Sequence, residues 1–325
     1  MRWPSWTVAL LLCVVAAQAQ ALSAPKPGQV IEVTLEQLHP TQAVVGFDQI
    51  HYSLGLFAAK PAKAFDEYCE TNGQGEAANV PKNADLRQPA SFSCASPVGT
   101  HASDMKTVVV GLGGQLYLTD GHHSFTTLWE TPGGGPRLKM WVKVTDDFSD
   151  SPNLAVFWQR MEAARKVWLK DNQGQPLRPE QLPAHLGFRS LQDDTFRSLV
   201  YFTRKAAYGK PDEGEVAPEF LEFYWGNWLR TQVDLTAYNL NKKGGYRDAI
   251  EAVAKRMVSL APGAQIGDSG FTARQLGGMP QLDRDELEKT FEKKVPYVID
   301  YRHSHHRCGK GGVTIPRAPD SHDTA

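Results

Sequence analysis

The segment from Thr107 to Glu130, TVVVGLGGQLYLTDGHHSFTTLWE, constrains the fold more than any other part of the chain. Two runs rich in β-branched and aromatic residues, 108–112 and 115–119, flank Gly113-Gly114 and predict a β-hairpin. The sequence Asp120-Gly121-His122-His123 follows and predicts a sharp turn into a helix. Because the first N–H groups of a helix are unpaired and lie at the positive end of its dipole, this turn is a candidate anion site.

The polar side chains at the turn suggest chemistry as well as binding. His122 and His123 can donate, accept or shuttle a proton or ligate a metal, and the carboxylate of Asp120 can orient an imidazole or bind a divalent ion. A simpler interpretation is that Asp120 only caps the helix and that the two histidines are solvated residues of its first turn. The residues alone leave both interpretations open.

The N-terminus has the features of an export signal. Arg2 precedes an apolar run over residues 8–17, and the following Ala-Gln-Ala-Gln-Ala satisfies the small-x-small rule for cleavage after Ala19 or Ala21. The run is too short to span a membrane stably, and no later segment is long and apolar enough to do so. We therefore expect a mature protein without a membrane span in the periplasm or outside the cell.

The composition is that of an ordinary globular protein. Hydrophobic residues make up 41% of the chain and charged residues 22%, with a net charge of -1. A near-neutral balance gives no overall electrostatic reason to bind nucleic acid or membranes, so such binding would need a local basic patch.

Three cysteines remain once Cys13 is removed with the signal. We expect Cys69 and Cys94 to form a disulfide, because they bracket a polar Gly/Pro/Asn-rich loop that lacks a core of its own. Cys308 is then the unpaired thiol, although other pairings of the three remain open.

The periodicity changes along the chain and predicts an α+β fold. We divide the chain into a signal peptide at 1–21, an α+β domain at 22–150, a helical region packed on it at 151–265, and a C-terminal extension at 266–325. Predicted strands cover residues 30–35, 108–112, 115–119, 138–144 and 295–301. Predicted helices cover residues 61–70, 154–168, 193–204, 218–232, 246–260 and 283–294, with a short helix from His122.

Two further groups are candidate functional residues. Glu222 lies among aromatic residues, where burial would raise its pKa and make it a proton donor or metal ligand; the alternative is an ion pair with Arg197, Arg204 or Arg230. The tail contains soft ligands that could bind zinc or copper, or bind metal only adventitiously: His303, His305, His306 and Cys308.

An ordered set of motifs resembles the ParB-like nuclease family of the ParB/sulfiredoxin superfamily. The motifs are His39-Pro40-Thr41-Gln42, Val45-Gly46-Phe47, LYLTDGHHS, Trp158 with Met161, DDTFRSLVYFTRK from Asp193, and EFLEFYWGNWLR from Glu219. The resemblance covers about two-thirds of the chain. It implies a ParB/sulfiredoxin-like N-terminal α+β unit followed by a mostly helical C-terminal region.

The resemblance also implies a turn that binds phosphate at the start of a helix, formed here by Gly121, His122, His123 and Ser124. Members typically place an arginine where this chain has Ser124, and the loss of a bidentate donor argues against tight binding of a nucleotide polyphosphate. The cysteine that sulfiredoxin uses is absent, which argues against reductase chemistry.

Export and the resemblance together rank the functions. ATP and CTP are scarce outside the cytoplasm, so a phosphoester hydrolase or nuclease ranks above a small-molecule kinase. Its expected catalytic residues are Asp120, His122, His123 and Glu222, its expected cofactor is a divalent metal ion, and its expected partner is a phosphate-bearing small molecule or nucleic acid. The alternative is a periplasmic protein that binds phosphate, a nucleotide or a peptide without turnover.

Overall fold

The computed structural model describes residues 25–211 and 217–308, with side chains to His305. The predicted signal peptide therefore lies outside the described residues. Within the described part, no helix has both the length and the apolar character needed to cross a lipid bilayer.

A five-stranded mixed sheet forms the N-terminal half, in the order β1-β8-β6-β7-β2. β6 and β7 are antiparallel, β6 is parallel to β8, and the short edge strand β2 is parallel to β7. Pro40 ends β2 at the edge of the sheet, where a missing N–H does not interrupt a ladder. The described strands are β1 (Val30–Thr34), β2 (Leu38–Pro40), β3 (Val44–Val45), β4 (Ala77–Asn79), β5 (Ser93–Cys94), β6 (Lys106–Val110), β7 (Leu116–Asp120), β8 (Lys139–Asp147) and β9 (Gln192–Asp193).

Helices pack on both faces of this sheet, with α4 on the face that carries Val109 and Tyr117, and make up most of the C-terminal half. They are α1 (Phe47–Ala59), α2 (Ala62–Thr71), α3 (His122–Glu130), α4 (Leu154–Ala163), α5 (Thr195–Phe202), α6 (Leu221–Leu229), α7 (Lys243–Val258), α8 (Arg284–Lys293) and α9 (Val295–Cys308). The fold is α+β with a helical C-terminal region, as predicted.

Two large hydrophobic clusters form the core. The first is built around the sheet with α1, α2 and α3, and includes Leu118, Phe125 and Met140. The second is built from α5 to α9 and includes Trp225 and Tyr246. Burying such side chains stabilises the fold by roughly 1.5 to 3 kcal/mol each.

The predicted hairpin is confirmed. β6 and β7 pair in antiparallel register, and Gly113 adopts φ 66° in the turn between them. Glycine adopts a positive φ without strain, which explains why Gly113-Gly114 forms this turn. The hairpin brings the end of β7 directly to the start of α3.

Two predicted elements are wrong, one in type and one at its end, and one helix was not predicted. Residues 295–301 form the first half of α9 rather than a strand, and α9 packs against α1. This packing overrides the strand preference of Val295, Val298 and Ile299. The predicted helix at 154–168 ends at Ala163. α1 was not predicted, although Ile50, Leu54 and Phe57 line one buried face of it.

The predicted disulfide between Cys69 and Cys94 is present, with an S–S distance of 1.98 Å and a Cα–Cα distance of 5.6 Å. It joins the C-terminal part of α2 to β5. The side chain of Cys308 lies outside the described residues, so its pairing stays a prediction.

Candidate functional site

The turn between β7 and α3 depends on Gly121. This residue adopts φ 110° and ψ 6°, which favours glycine. The stem of Lys106 lies over it, so a Cβ at position 121 would be 2.6 Å from the Cγ of Lys106. The ammonium of Lys106 lies 3.8 Å from Asp120 Oδ2, and it adds a positive charge beside the turn.

The start of α3 has no side-chain cap. The N–H of Phe125 donates to the carbonyl of Gly121 at 2.8 Å, whereas those of His122, His123 and Ser124 have no hydrogen-bond partner among the described residues. The suggestion that Asp120 caps the helix is therefore wrong. The N-terminus of this nine-residue helix presents unpaired donors to whatever lies above it.

Both histidines of the turn bond to the protein backbone, His122 from a buried position and His123 from a half-buried one. His122 is 3% exposed, and its Nε2 accepts a hydrogen bond from the N–H of Thr41 at 3.1 Å. The Nε2 of His123 accepts from the N–H of Gly46 at 2.9 Å. The interpretation of these residues as solvated is wrong, because each imidazole fixes a backbone segment that precedes α1.

The same contacts set the protonation of the two rings. Burial lowers the pKa of His122 to about 3. Burial also lowers the pKa of His123, and the positive charge of Arg197 lowers it further. Since each Nε2 accepts a hydrogen bond, the neutral rings carry their proton on Nδ1. Nδ1–H is then the donor that each ring retains for a ligand.

Glu222 lies in an ion-pair network rather than in an apolar pocket. Its carboxylate accepts hydrogen bonds from Arg197 Nη2 at 2.7 Å and from Tyr208 Oη at 2.8 Å, and it also pairs with Arg204. Burial by itself would raise the pKa of Glu222, but the two arginines outweigh it and lower the pKa to about 2. The predicted rise in pKa is therefore wrong, and the ion-pair alternative is confirmed for Arg197 and Arg204. Arg230 instead pairs with Asp194 at 2.9 Å.

Arg197 is a candidate ligand that the sequence did not single out. Its side chain is 4% exposed, and its Nε and Nη1 atoms are buried without a hydrogen-bond partner in the described residues. Gly46, whose N–H donates to His123, packs against Ser198, the residue after Arg197, and the positive charge of Arg197 lowers the pKa of His123. A buried arginine with unused donors is uncommon unless a ligand or water completes it.

A second charged group includes Asp146, near the end of β8. Lys166 contacts Asp146 at 3.2 Å and Glu219 at 3.0 Å. The Oε2 atom of Glu219 is buried and has no hydrogen-bond partner among the described residues. Burial raises the pKa of Glu219, Lys166 opposes the rise, and the charges of Asp120 and Asp146 add to it.

Backbone strain accompanies these charged groups. In the described part of the chain, three residues other than glycine have a positive φ: Arg165 at 55°, Lys205 at 68° and Phe220 at 61°. Each is the sequence neighbour of a residue in the two networks, namely Lys166, Arg204 or Glu219. Such conformations cost about 1 to 3 kcal/mol and concentrate at functional sites, so they support this region as the site.

A cavity of about 540 Å³ adjoins Ser124 and Lys106. Its other walls carry an excess of acidic side chains: Glu67, Glu70, Glu76 and Asp104. The neighbouring carboxylates add to the effect of burial in raising the pKa of Glu70. Like charges repel, so this acidic wall disfavours anionic groups inside the cavity itself.

Metal ligands are not gathered in the described part of the chain, where no group of three or more His, Cys, Asp or Glu side chains could hold a metal ion. Of the predicted tail ligands, His303 and His305 are exposed on α9. The side chains of His306 and Cys308 lie outside the described residues. The predicted divalent ion and tail metal site therefore stay predictions.

Comparison with known proteins identifies a family and a solved structure of similar fold. A family profile described as "Putative ParB-like nuclease" matches residues 31–231. The chain is also similar to a solved structure titled crystal structure of protein Atu1540 from Agrobacterium tumefaciens, with 21% identity over 70% of this chain and 92% of that chain and a TM-score of 0.48. No curated protein matches the chain.

The family profile covers more than half of the chain. It includes β1, the β6–β7 hairpin, the start of α3, and the helices that carry Arg197 and Glu222. The site described above thus lies within the matched region, and the chain belongs to the ParB-like nuclease family.

Proposed function

We propose that this protein binds a phosphate-bearing ligand at the start of α3 and hydrolyses its phosphoester bond. The observation that carries the proposal is the set of unpaired donors there. The N–H groups of His122, His123 and Ser124 lack partners among the described residues, and the buried Arg197, whose charge acts on His123, has two nitrogens without a hydrogen bond. Backbone donors at a helix start, together with a guanidinium, suit a phosphate dianion.

Arg197 offers a replacement for the arginine that is missing at position 124. It reaches the same region from α5, and Glu222 fixes one of its nitrogens at 2.7 Å. An arginine anchored in this way loses little conformational entropy when it binds an anion. Lys106 supplies a second positive charge, and its stem is already held over Gly121.

The hydrolytic step needs a proton acceptor that a substrate can reach. Asp120 is the exposed carboxylate at the turn, with 63% of its side chain accessible. In the proposed reaction, Asp120 accepts a proton from the attacking water, the water oxygen bonds to phosphorus, and the ester oxygen leaves with a proton from solvent. The helix N–H groups and Arg197 stabilise the negative charge on the phosphoryl oxygens.

A second candidate function is binding without turnover. It is favoured by the neutrality of the imidazoles: a pKa of about 3 for His122 leaves no protonated ring to act as a general acid at neutral pH. The described residues also contain no group of three or more side chains that could hold a metal. The two candidates share the phosphate site and differ only in catalysis.

Hydrolysis of bis(p-nitrophenyl) phosphate and of single-stranded DNA, with magnesium or with a chelator, separates the two candidates. The proposal predicts turnover by the wild type and at least a roughly hundredfold loss in Asp120→Asn. Phosphate binding without turnover under either condition would favour the binding protein. Turnover that needs magnesium would support the predicted metal.

Substitution of Arg197 tests the phosphate site itself. Arg204→Gln is its matched control, because Arg204 pairs with the same carboxylate while its side chain is 45% exposed. Arg197→Gln should weaken phosphate binding by roughly tenfold or more, since a charge-assisted hydrogen bond contributes about 1.5 to 3 kcal/mol. Equal weakening in both variants would assign the effect to the Glu222 network and not to a ligand contact.

We also propose that the protein is exported. The disulfide between Cys69 and Cys94 supports this, because such bonds persist mainly in oxidising compartments. The expected mature chain begins at Gln20 or Leu22, which intact-mass measurement of the protein from its native source would reveal. A mature protein that retains Met1 would contradict cleavage.

A further inference from the structure

A second cavity lies at the opposite end of α3 from the proposed phosphate site. Its volume is about 680 Å³, within the range of small-molecule pockets. It is bounded by α1, α2, the loop at 83–87, the segment that follows α3, and α9. Apolar side chains form most of its wall: Leu54, Phe57, Ala64, Phe65 and Leu86.

One carboxylate in this cavity lacks a compensating charge. Glu130, the last residue of α3, accepts a hydrogen bond on Oε1 from the N–H of Phe188 at 2.8 Å. No cation forms an ion pair with it among the described residues, in contrast to Asp85, which pairs with Arg87 in the same wall at 2.9 Å. The negative end of the α3 dipole lies at Glu130 and adds to its charge.

An aromatic side chain lies beside this carboxylate. Tyr301 lines the cavity and stacks on His305 with ring centroids 3.9 Å apart. Burial and then the charge of Glu130 raise the pKa of Tyr301 to about 12, so its hydroxyl keeps its proton. His51 also stacks on this ring, with centroids 5.4 Å apart, so Tyr301 offers a cation its hydroxyl oxygen beside Glu130 rather than a ring face.

We propose that this cavity binds a hydrophobic cation, a ligand with an apolar body and one protonated amine. The apolar wall takes the body, and Glu130 with Tyr301 takes the ammonium. Removing an apolar body from water favours binding, and the ion pair forms where the local dielectric is low. This inference does not rest on the proposed function, because the two sites lie at opposite ends of α3.

The test compares a charged probe with a neutral probe of the same shape. Calorimetric titration with 4-phenylbutylamine and with 4-phenylbutanol should show the amine binding to wild type at least roughly tenfold more tightly, equivalent to about 1.4 kcal/mol. Glu130→Gln should bind both probes alike, because glutamine still accepts the hydrogen bond from Phe188 and removes only the charge. The affinity of this variant for the alcohol checks that the cavity remains intact.

Ala58→Trp provides the steric control. Ala58 lines the cavity from an exposed position on α1, so a large side chain there should block both probes without disturbing the core. The proposal is overturned if the wild type binds neither probe, if it binds both equally, or if Ala58→Trp leaves binding unchanged.

Discussion

The Nε2 atom of His123 accepts the backbone N–H of Gly46 at 2.9 Å, which ties the start of α3 to the residue that precedes α1. His122 makes the equivalent contact to Thr41. The motif Asp120-Gly121-His122-His123 thus has a structural role in addition to its proposed phosphate site. Its two imidazoles fix the backbone at Thr41 and Gly46, between β2 and α1.

Substitutions at His123 should separate the structural role from catalysis. His123→Ala leaves the Gly46 N–H unpaired and opens a cavity, so we expect the free energy of unfolding to fall by about 2 to 4 kcal/mol and any phosphoester turnover to fall by roughly a hundredfold or more. His122→Ala should behave in the same way. Urea unfolding and single-turnover assays measure the two effects.

His123→Gln is the informative control, because its amide oxygen can replace Nε2 as an acceptor. We expect most of the stability to return while turnover stays low. Turnover that returns together with stability would show that the imidazole acts only by holding the loop. The exposed His185→Ala should change stability by no more than about 0.5 kcal/mol.

His122 and Asp193 should make the free energy of unfolding depend on pH in opposite directions. His122 titrates at about 3 in the folded chain, against a normal pKa of 6.5, so between these values the unfolded chain binds the extra proton and stability rises with pH. Burial raises the pKa of Asp193 from 3.8 to about 7, so over that range the folded chain holds the extra proton and stability falls as pH rises. Each slope approaches about 1.4 kcal/mol per pH unit.

Denaturant unfolding between pH 4.5 and 6.5 gives the slope of the unfolding free energy against pH. This slope should change in opposite directions in two variants. His122→Gln keeps an acceptor for Thr41 but removes the titration, so stability should fall more steeply with rising pH than in wild type. Asp193→Asn keeps an acceptor for the N–H of Phe47, which lies 2.9 Å away, and stability should rise more steeply with pH. The same slope in all three proteins would refute both pKa shifts.

Glu222→Gln should be strongly destabilising. It removes the charge that pairs with Arg197 and Arg204 and leaves the buried guanidinium of Arg197 uncompensated, which typically costs about 3 to 5 kcal/mol. Thermal and urea unfolding measure the loss. Glu180→Gln, at an exposed pair with Arg178, should have almost no effect, and a loss below about 1 kcal/mol in Glu222→Gln would contradict the network.

The disulfide should contribute measurably to stability. Cys69 and Cys94 are 25 residues apart, and closing a loop of this size stabilises the folded state by roughly 3 to 4 kcal/mol. A Cys69→Ser and Cys94→Ser double variant should unfold at correspondingly lower urea concentration, while Cys308→Ser should match the wild type. Peptide mapping without reductant tests this assignment. A disulfide from Cys308 to Cys69 or Cys94 would contradict it.

The local signals predicted much of the fold. The glycine pair of the hairpin, the alternation of β1 and the helical spacing in α7 each follow from short-range chemistry, and the structure contains all three. The loop composition between Cys69 and Cys94 likewise predicted their bond. The order of motifs was sufficient to identify the family.

Features that depend on packing between distant parts of the chain could not be predicted from the sequence. The valines of α9 favour a strand in isolation and become helical only against α1. The burial of His122 and His123 depends on residues 41–46, which a linear motif does not report. The charge of Arg197 acts on His123 only in the folded chain, so no local pattern distinguished Arg197 from the other basic residues of its segment.

Calorimetric titration with inorganic phosphate and a nucleoside monophosphate tests the central claim most directly, using the wild type, Ser124→Arg and the exposed control Ser259→Arg. The account predicts binding by the wild type, unchanged affinity in the control, and tighter binding by Ser124→Arg, since a charge-assisted hydrogen bond adds roughly 1.5 to 3 kcal/mol before desolvation and ordering costs. If neither ligand binds the wild type or Ser124→Arg at any ionic strength, the start of α3 is not a phosphate site.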